Sequence, residues 1–354
     1  MIQSVFLSYR EGTSDKVYQV TIEAQGEAYL VNFAFGRRGN TLQTGTKTQT
    51  PVDLPLAQKL FDKLVKEKTA KGYTTDVSGT PYQHTEKEQQ NTGIYPQLLN
   101  AIEVEDVDRY IRDDQYLAQE KHDGKRLLIV KKGDQITAIN RKGLSVGFPA
   151  SFQSLQSSPV DFIIDGEAIG ENFFVFDLLE INDENIRPQP LMTRLEKLRE
   201  LTGNLGVKYI IETASAHDYS PKKDLYERLL QQKKEGIVFK LKSSVYTPGR
   251  PASGGNHIKH KFYATASFQV AAVNNKRSVA LGLYDNGKLV GAGNVTISVN
   301  HAVPAVGDIV EVRYLYAFRE SGSVYQPIYL GKRDDIDADA CVVAQLKYKA
   351  EQED

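Results

Sequence analysis

Lys121 is the residue of this sequence whose surroundings best suit covalent chemistry. It stands in the segment 120–126, Glu-Lys-His-Asp-Gly-Lys-Arg, between two stretches that are predicted to be strands. A lysine amine is a nucleophile only when it has lost its proton, and nearby cations such as Lys259 and Lys261, or a bound metal, would favour that state. A Lys-x-Asp-Gly pattern also arises by chance as a surface turn of solvated charges. The turn alone therefore suggests a nucleophile without establishing one.

Five further patterns follow this turn along the chain. They are Asn-Arg-Lys-Gly at 140–143, Asp-Gly-Glu at 165–167, Phe-Asp at 176–177, Glu-Gly-Ile-Val-Phe-Lys at 235–240 and Lys-His-Lys at 259–261. Each pattern is weak by itself, but their order across residues 121–261 is a strong signal. With this ordered set the chain resembles the covalent nucleotidyltransferase superfamily of ATP-dependent ligases and messenger-RNA capping enzymes.

The resemblance implies a role for each nucleotide-binding residue. Lys121 would attack the α-phosphate of ATP and carry AMP as a phosphoramidate. Arg126 and Glu167 would hold the ribose. Phe176 would stack on the adenine, and Gln119 would contact the adenine edge. Taken singly, each of these residues has a plainer structural role, such as core packing for Phe176 or a turn cap for Glu167.

The resemblance also implies which residues meet the phosphates and the metal. Glu235 would bind a divalent cation, Mg²⁺ or Mn²⁺, with Glu167 as a second carboxylate. Lys259 and Lys261 would neutralise the α-phosphate of ATP, which agrees with the need of phosphoryl transfer for clustered positive charge. Arg141 would meet a phosphate of the nucleotide or of the nicked DNA. The alternative for Arg141 is a solvated loop charge.

The elements that must position these residues fall into three predicted domains and a linker. Strands at 18–22 and 29–35 and a helix at 56–71, ended by Gly72, form a small domain over residues 1–73. Residues 74–92 are polar and are predicted to be a flexible linker, and 349–354 a tail. An α+β domain follows over 93–263. Its predicted strands are 127–130, 136–140, 162–164 and 173–176, and its predicted helices are 191–201 and one opened by Ser220-Pro221.

The last predicted domain, residues 264–348, reads as short strands with turn signals. Asp285-Asn286-Gly287 between apolar stretches predicts a hairpin, and several such strands suggest a small barrel. The family likeness implies an oligonucleotide-binding (OB-fold) barrel here and an ATP-grasp-like nucleotidyltransferase (adenylation) domain before it. The family's sixth motif is matched by Arg333, which would orient the β- and γ-phosphates of ATP, and by Asp335. Ile336 replaces the family's terminal lysine.

The N-terminal segment resembles a WGR domain over residues 5–73. The likeness lies in Phe35-Gly36-Arg37-Arg38-Gly39 and Lys71-Gly72-Tyr73, with Phe35 where the family has tryptophan. WGR domains contact DNA near strand breaks, which implies stacking by Phe35 and phosphate contact by Arg37 and Arg38. The alternative is a packing module with Phe35 in its core and arginines that keep an edge hairpin soluble.

Composition sets outer limits on these interpretations. The chain has 354 residues, a formal net charge of −1 and one cysteine, Cys341, so a disulfide framework and a cysteine-ligated zinc element are excluded. The lack of the zinc element favours ATP over NAD. No signal peptide or membrane-spanning run is apparent in the sequence. We expect a monomer in a bacterial or phage-infected cytoplasm, associated with the nucleoid when on DNA.

The ordered motifs predict an ATP-dependent DNA ligase that seals 5′-phosphate/3′-hydroxyl nicks in double-stranded DNA. Three alternatives stay open at this point. Two belong to the same superfamily, an RNA ligase and a capping guanylyltransferase, and the third is a non-catalytic protein that binds DNA breaks. The WGR-like segment favours DNA by analogy. The sequence leaves open whether DNA repair, replication or recombination is served.

Overall fold

The computed structural model describes residues 1–11, 14–76, 82–83 and 90–350. By packing, the chain divides into two compact units. The first unit is Met1–Lys222 with Val238–Lys259, and the second is Lys223–Ile237 with His260–Asp354. The predicted boundaries at residues 73, 92 and 263 follow sequence motifs instead of packing, and they stay a prediction.

A five-stranded antiparallel sheet and one helix form the N-terminal part of the first unit. The elements are β1 (Gln3–Glu11), β2 (Ser14–Gln25), β3 (Ala28–Arg37), β4 (Gln43–Thr46), α1 (Leu54–Thr69) and β5 (Thr74–Asp76), with the strand order β4-β3-β2-β1-β5. Tyr18, Val20 and Ile22 alternate on one face and pack against Phe61 and Leu64 of α1. The two predicted strands and the predicted helix are thereby confirmed.

Helix α1 begins and ends for local reasons. The Asp53 carboxylate accepts a hydrogen bond from the Leu56 amide at 2.8 Å and so caps the first turn. The helix ends at Thr69, and Gly72 lies beyond it in the next turn with φ +86°. The predicted helix end at residue 71 was therefore two residues too late, and Gly72 serves the turn that leads into β5.

The segment predicted as a linker contains ordered strand pairs. Thr74–Asp76 forms β5 and pairs with β1, while β6 (Tyr82–Gln83) pairs with β12 (Phe148–Pro149). Near the end of the segment, Gln90 accepts a hydrogen bond from the Ser145 amide at 2.9 Å. The prediction of a coil was wrong for these residues, because backbone pairing needs no apolar periodicity. The rest of the segment, 77–81 and 84–89, lies outside the described residues.

The central part of the first unit is built around a seven-stranded sheet. Its order is β11-β10-β9-β13-β14-β15, with β16 beside β14. The elements are β9 (Lys125–Lys132), β10 (Gln135–Asn140), β11 (Ser145–Val146), β13 (Phe162–Ile169), β14 (Asn172–Ile181), β15 (Glu184–Asn185), α3 (Leu191–Leu205) and β16 (Ile210–Glu212), with a 3₁₀ helix at Ala150–Ser157. Helix α3 and the 3₁₀ helix pack on one face of the sheet in a single apolar core. The four predicted strands and the helix at 191–201 are confirmed.

A second sheet carries the lysine turn. Its strand order is β17-β8-β18-β19-β7. The elements are β7 (Asn100–Ala101), α2 (Val107–Arg112) after a 3₁₀ turn at Val104–Asp106, β8 (Tyr116–Lys121), β17 (Ser215–Ala216), α4 (Tyr219–Gln231), β18 (Gly236–Leu241) and β19 (His257–Lys261). Helix α4 begins at Tyr219, so Ser220, predicted as its cap, lies inside it.

The second unit contains an antiparallel sheet with the order β22-β21-β20-β23-β26. The elements are β20 (Ala264–Asn274), β21 (Ser278–Asp285), β22 (Lys288–Thr296), β23 (Ile309–Tyr314), β24 (Tyr316–Ala317), β25 (Val324–Tyr325) and β26 (Ile328–Arg333), with 3₁₀ turns at Ala338–Ala340 and Val343–Gln345. The predicted hairpin turn is confirmed, with Asn286 at φ 49° and Gly287 at φ 77°. Cys341 is fully buried in the core of this unit.

No helix in the part of the chain that the structure describes is long and apolar enough to cross a membrane.

A buried ion pair fixes helix α3 to β14. The Arg194 guanidinium donates to both carboxylate oxygens of Asp177, at 2.7 and 3.0 Å, and to the Ser244 carbonyl at 2.9 Å. The exposed fraction of the two side chains is 0% and 2%. Asp177 is the acid of the Phe-Asp motif, so the motif's second residue has a packing role.

We predict that Arg194→Leu lowers the free energy of unfolding by about 3–5 kcal/mol, because it leaves the Asp177 carboxylate buried without its partner. Urea denaturation followed by circular dichroism measures the change. Arg199→Leu is the matched control, since Arg199 pairs with Glu212 at the surface and should cost less than about 1 kcal/mol. Equal losses of unfolding free energy in the two variants would show that the buried Arg194–Asp177 pair stabilises the fold no more than the surface pair does.

Candidate functional site

The Lys121 turn is held against strand β13 by close packing. Lys121 ends β8, Lys125 starts β9, and the Lys121 amine lies 3.5 Å from the His122 carbonyl oxygen. A Cβ on Gly124 would lie 2.4 Å from the Ala168 carbonyl oxygen. Only glycine fits this approach, which explains its place in the Lys-x-Asp-Gly pattern.

A buried carboxylate orients Arg126. Asp165 is fully buried and accepts hydrogen bonds from Nε and Nη2 of Arg126 at 2.6 and 2.7 Å. The Tyr246 hydroxyl donates to the same carboxylate at 2.7 Å. This bidentate geometry fixes the guanidinium plane and favours a positioned cation. Sequence reasoning missed Asp165 and Tyr246 as its partners, although Asp165 belongs to the Asp-Gly-Glu motif.

Glu167 lies beside Arg126 on neighbouring strands. The two residues are Cα partners in the β9–β13 ladder, and β13 continues past Glu167 to Ile169. The sequence had placed Glu167 at the strand's end. A Cβ on Gly166 would lie 2.6 Å from the Phe174 carbonyl oxygen, so the glycine allows β14 to approach. The Asp-Gly-Glu motif thus combines an internal partner for Arg126, a close strand contact and a half-buried carboxylate.

Two cations flank the half-buried ring of Phe176. The Arg126 guanidinium carbon and the Lys240 amine each lie 4.5 Å from the ring centroid. Lys240 also donates to the Phe176 carbonyl at 3.1 Å. The structure therefore brings together three motif residues, Arg126, Phe176 and Lys240. The role of Lys240 was missed by sequence reasoning, although the motif at 235–240 ends on it.

Gln119 belongs to a polar cluster that none of the sequence motifs predicted. Its buried amide nitrogen donates to the Ser215 hydroxyl at 2.9 Å and approaches the Thr213 carbonyl at 3.3 Å. His122 hydrogen-bonds with the Thr213 hydroxyl at 3.1 Å, and its ring stacks on Phe174 with centroids 4.3 Å apart. The segment 213–215 carries no sequence signal beyond its hydroxyl groups, which is why it was missed.

Arg141 lies at the exposed tip of a tight turn between β10 and β11. The Asn140 side chain accepts hydrogen bonds from the amides of Lys142 and Leu144 at 2.8 and 3.2 Å. Gly143 has φ +77°. Asn140 and Gly143 therefore form the turn and leave Arg141 at the surface, which suits contact with a large partner.

Lys259, the remaining motif residue of the first unit, lies on β19. Its carbonyl accepts a hydrogen bond from the Ile102 amide at 2.9 Å, which pairs this strand with the β7 edge. His257 on the same strand is buried and hydrogen-bonds with the Ser244 hydroxyl at 2.9 Å. Burial, reinforced by Lys240, holds the pKa of His257 well below its ordinary value, so this histidine is neutral.

Glu235 and Lys261 form an ion pair within the second unit. The Lys261 amine lies 2.8 Å from a Glu235 carboxylate oxygen and donates to Gln326 at 3.0 Å. A Cβ on Gly236 would lie 2.1 Å from the His260 carbonyl oxygen, so this glycine allows the two strands to meet. The motifs at 235–240 and 259–261 are therefore coupled through both backbone and charge.

The sixth-motif residues have internal partners in the second unit. Arg333 donates to Asp335 at 2.8 Å and to Glu311 at 3.3 Å. Ile336, which stands where the family has lysine, packs against the core of this unit. The substitution is consistent with that apolar environment. The predicted phosphate contact of Arg333 stays a prediction.

The WGR-like signature residues also have internal partners. The half-buried Phe35 packs in the N-terminal core, with ring centroids 5.8 Å from Tyr18. The Arg38 guanidinium bonds to Asp15 at 3.1 Å and to Asp76 at 2.6 Å. These contacts favour the core role for Phe35. DNA contact by Phe35, Arg37 and Arg38 stays a prediction.

Metal ligands are sparse in the described ranges, which lack residues 12–13, 77–81, 84–89 and 351–354. No group of three or more His, Cys, Asp or Glu residues there is arranged to hold a metal ion. A Mg²⁺ ion that takes one or two carboxylates and several phosphate or water oxygens needs no such group.

Two family models match this chain. The model of the ATP dependent DNA ligase domain matches residues 170–261, and the model of the WGR domain matches residues 3–80. The first match includes the motifs at 176–177, 235–240 and 259–261. The second match covers the whole N-terminal sheet and helix α1.

Several curated DNA ligases are similar to this chain. The DNA ligase of Methanococcoides burtonii is 25% identical over 245 residues, which are 56% of this chain and 43% of that protein. Human DNA ligase 4 is 21% identical over 207 residues, which are 47% of this chain and 23% of that protein. The chain thus matches less than half the length of either relative.

A solved structure from a study of Lig E DNA ligases, described as binding DNA with a minimal scaffold, shares the fold. It covers 68% of this chain and 99% of its own chain, with a TM-score of 0.52 and 20% identity. A second structure, named Pmar-Lig, has the same TM-score of 0.52 at 14% identity and covers 68% of this chain and 67% of its own. These likenesses concern the fold alone.

The Lys240 amine gives a test of the buried environment that it shares with Arg126 and Phe176. Burial, with Arg126 nearby, lowers its pKa from 10.5 to about 8. Between pH 8 and pH 10.5 the unfolded chain keeps a proton that the folded chain releases, so the free energy of unfolding should rise with pH. The rise should approach about 1.4 kcal/mol per pH unit.

We predict that Lys240→Met removes the share of this rise that Lys240 contributes, while the share of Lys347, whose pKa burial also lowers to about 8, remains. Urea denaturation of both proteins across that pH window measures the difference between their stabilities. Lys59→Met on the exposed surface of α1 controls for the loss of one positive charge. A difference between wild type and Lys240→Met that stays flat with pH would contradict the shifted amine.

Proposed function

We propose that this chain, which joins a WGR domain to an ATP-dependent DNA ligase domain, seals nicks in double-stranded DNA with Lys121 as its nucleophile. The observation that carries the proposal is the packing of the Lys121 turn against strand β13. Gly124 packs on β13 beside Glu167, while Asp165 of the same strand orients Arg126. This packing of the turn against β13 supports a lysine nucleophile that works with the Glu167 carboxylate and the Arg126 guanidinium on a bound nucleotide.

The proposed reaction has three steps. The neutral Lys121 amine attacks the α-phosphorus of ATP, a nitrogen–phosphorus bond forms, and pyrophosphate leaves. The 5′-phosphate of the nick then attacks the same phosphorus and releases the lysine, which gives DNA capped by AMP. Finally the 3′-hydroxyl attacks the 5′-phosphorus, a phosphodiester forms and AMP leaves. Each step needs positive charge around a spreading negative charge.

The nucleoside would lie against three groups of the first unit. Gln119 would contact the adenine edge, because its amide already faces the polar segment that holds Thr213 and Ser215. Phe176 would stack on the adenine, with Arg126 beside its ring. Glu167 and Arg126 would hold the ribose, since they share a rung of the β9–β13 ladder.

The remaining charged side chains of the motifs would bind the phosphates and the metal. Lys259 and Lys261 would neutralise the α-phosphate, and Arg141 would meet a phosphate from the exposed tip of its turn. Glu235 and Glu167 are each proposed to offer carboxylate oxygens to Mg²⁺ or Mn²⁺, with ATP supplying the other ligands. Bound there, the cation would stabilise charge on the transferring phosphoryl group. In the protein alone Lys261 neutralises Glu235.

For the second unit we propose an OB-fold barrel. Its five strands form one antiparallel sheet whose outer strands, β22 and β26, approach one another. That curl supports a barrel. Arg333 would orient the outer phosphates of ATP once it exchanges Asp335 or Glu311 for them.

For the N-terminal sheet we propose DNA contact near the nick. Arg37 ends β3 and Arg38 follows it, within the part of the chain that the WGR model matches. Arg38 would have to share its guanidinium between Asp15, Asp76 and a phosphate. Phosphate contacts of this kind give affinity without sequence preference.

We predict that Lys121→Ala abolishes the covalent AMP adduct and all sealing that starts from ATP. Lys121→Arg should fail as well, because a guanidinium stays protonated. Incubation with α-labelled ATP and Mg²⁺, followed by denaturing electrophoresis, measures the adduct. Lys132→Ala is the control, since Lys132 pairs with Glu180 and Asp183 at the surface of β9.

The same labelling experiment separates the alternatives. Label from GTP instead of ATP would identify a capping enzyme, and no label from either would identify a DNA-binding protein. Label from ATP with sealing of RNA but not DNA would identify an RNA ligase. Label in Lys121→Ala would move the nucleophile elsewhere.

We predict that Glu235→Gln slows adenylation at saturating ATP by at least about a hundredfold, because a carboxylate proposed to hold the cation that stabilises the transition state is lost. Raising the Mg²⁺ concentration should restore only part of the rate. Rapid-quench measurement of AMP transfer gives the rate. Glu227→Gln on the exposed face of α4 is the matched control. Full rescue by Lys261→Met in the double variant would assign the defect to the ion pair instead of the metal.

A further inference from the structure

A loop of the N-terminal sheet lies directly against the strands that carry the nucleotide motifs. Residues 39–44, here called the docking loop, comprise most of the connection between β3 and β4 and the first two residues of β4, all within the first unit. The Thr41 hydroxyl donates to the Ala168 carbonyl at 2.8 Å. The Lys125 amine donates to the Leu42 carbonyl at 2.9 Å. Lys125 and Ala168 are Cα partners in the β9–β13 ladder, so both bonds fall on one rung.

That rung has a special place in the site. On one side the Lys125–Ala168 pair borders Gly124. Gly124 packs against the Ala168 carbonyl and so holds the Lys121 turn against β13. On the other side the next rung pairs Arg126 with Glu167. A shift of the Ala168 carbonyl would thus disturb the turn and the two proposed ribose ligands together.

Two further contacts hold the docking loop in place. The Gly147 amide donates to the Thr44 hydroxyl at 3.1 Å, next to β11 and β12. A Cβ on Gly170, in the turn between β13 and β14, would lie 3.8 Å from the Gly39 carbonyl oxygen. The loop therefore touches three separate segments of the central part of the unit.

The WGR-like signature forms the base of this loop. The Arg38 guanidinium bridges Asp15 and Asp76, and the Asn40 amide donates to the Arg37 carbonyl at 3.2 Å. Because Arg38 ties the start of β2 to β5, the loop leaves the sheet in one fixed direction. The arginines of the signature thus serve the junction between the N-terminal sheet and the nucleotide motifs.

We propose that Thr41 and Thr44 are positioning residues for the nucleotide site, so that the N-terminal sheet takes part in binding ATP as well as DNA. The inference rests on the proposed function for its ATP readout. It departs from a tethered sensor, in which loss of the N-terminal sheet would leave adenylation intact. The Thr41 hydroxyl holds the backbone on which Glu167, Arg126 and the Lys121 turn are placed. The Thr44 hydroxyl acts one step away, because it fixes the docking loop to Gly147.

Hydrogen exchange tests the positioning contact without any reaction. In the full chain, Thr41→Val with Thr44→Val should speed amide exchange at least about threefold in peptides covering 124–128 and 165–170, because the hydrogen bond to Ala168 is lost and the docking loop is no longer fixed to Gly147. Exchange in α3 should not change. Thr46→Val is the matched control, since the Thr46 hydroxyl bonds to the Val31 and Thr48 carbonyls within the N-terminal sheet. Unchanged exchange at 124–128 and 165–170 would overturn the inference.

Self-adenylation kinetics test whether the positioning contact of Thr41 affects the binding of ATP. The Thr41→Val variant should raise KM for ATP about threefold to tenfold with a smaller change in kcat, as loss of one hydrogen bond that positions a binding group implies. Thr41→Ser should restore KM, and a variant with wild-type KM would overturn the inference. A wild-type chain that takes no label from ATP would instead refute the proposed function, and hydrogen exchange would still decide whether the docking loop holds the β9–β13 pair.

Discussion

The buried carboxylate of Asp165 is the constraint on which the proposed site depends. It accepts two hydrogen bonds from Arg126 and one from Tyr246, and its side chain is fully enclosed. A charge in such a place is stable only while its partners stay in position, because desolvation is otherwise uncompensated. Strands β9 and β13 and the segment around Tyr246 are therefore locked together, and the Phe176 ring lies against the same guanidinium. A rigid frame of this kind suits a reaction that depends on positioned charge.

The sequence predicted the strands of this frame well, since their apolar residues are contiguous and each is bounded by turn residues. Residues 127–130 and 162–164 lie inside the observed β9 and β13. Three glycines of the motifs were also informative, because Gly124, Gly166 and Gly236 each mark a backbone approach that a Cβ would block. Helix ends were less accurate: α1 ends two residues early and α4 begins one residue early, as local capping decides those positions.

Contacts between distant parts of the chain could not be predicted. Gln119 and Ser215 are 96 positions apart, and Thr41 and Ala168 are 127 apart. No local periodicity reports such a pair. The polar segment after residue 73 was misread for the same reason, because its strands pair through backbone groups that any residue supplies. A hydroxyl in a loop carries a clear meaning only when its acceptor is known.

The burial of Cys341 gives the second unit an intrinsic reporter. It is the chain's only thiol, it lies in the core of that unit, and burial raises its pKa, so it is poorly reactive while the unit is folded. A thiol reagent would modify it only through openings of that core, at a rate set by their equilibrium and kinetics. The first unit, which holds no cysteine, is silent in the same measurement. Opening of the second unit can therefore be followed by itself in the native protein, without an introduced label.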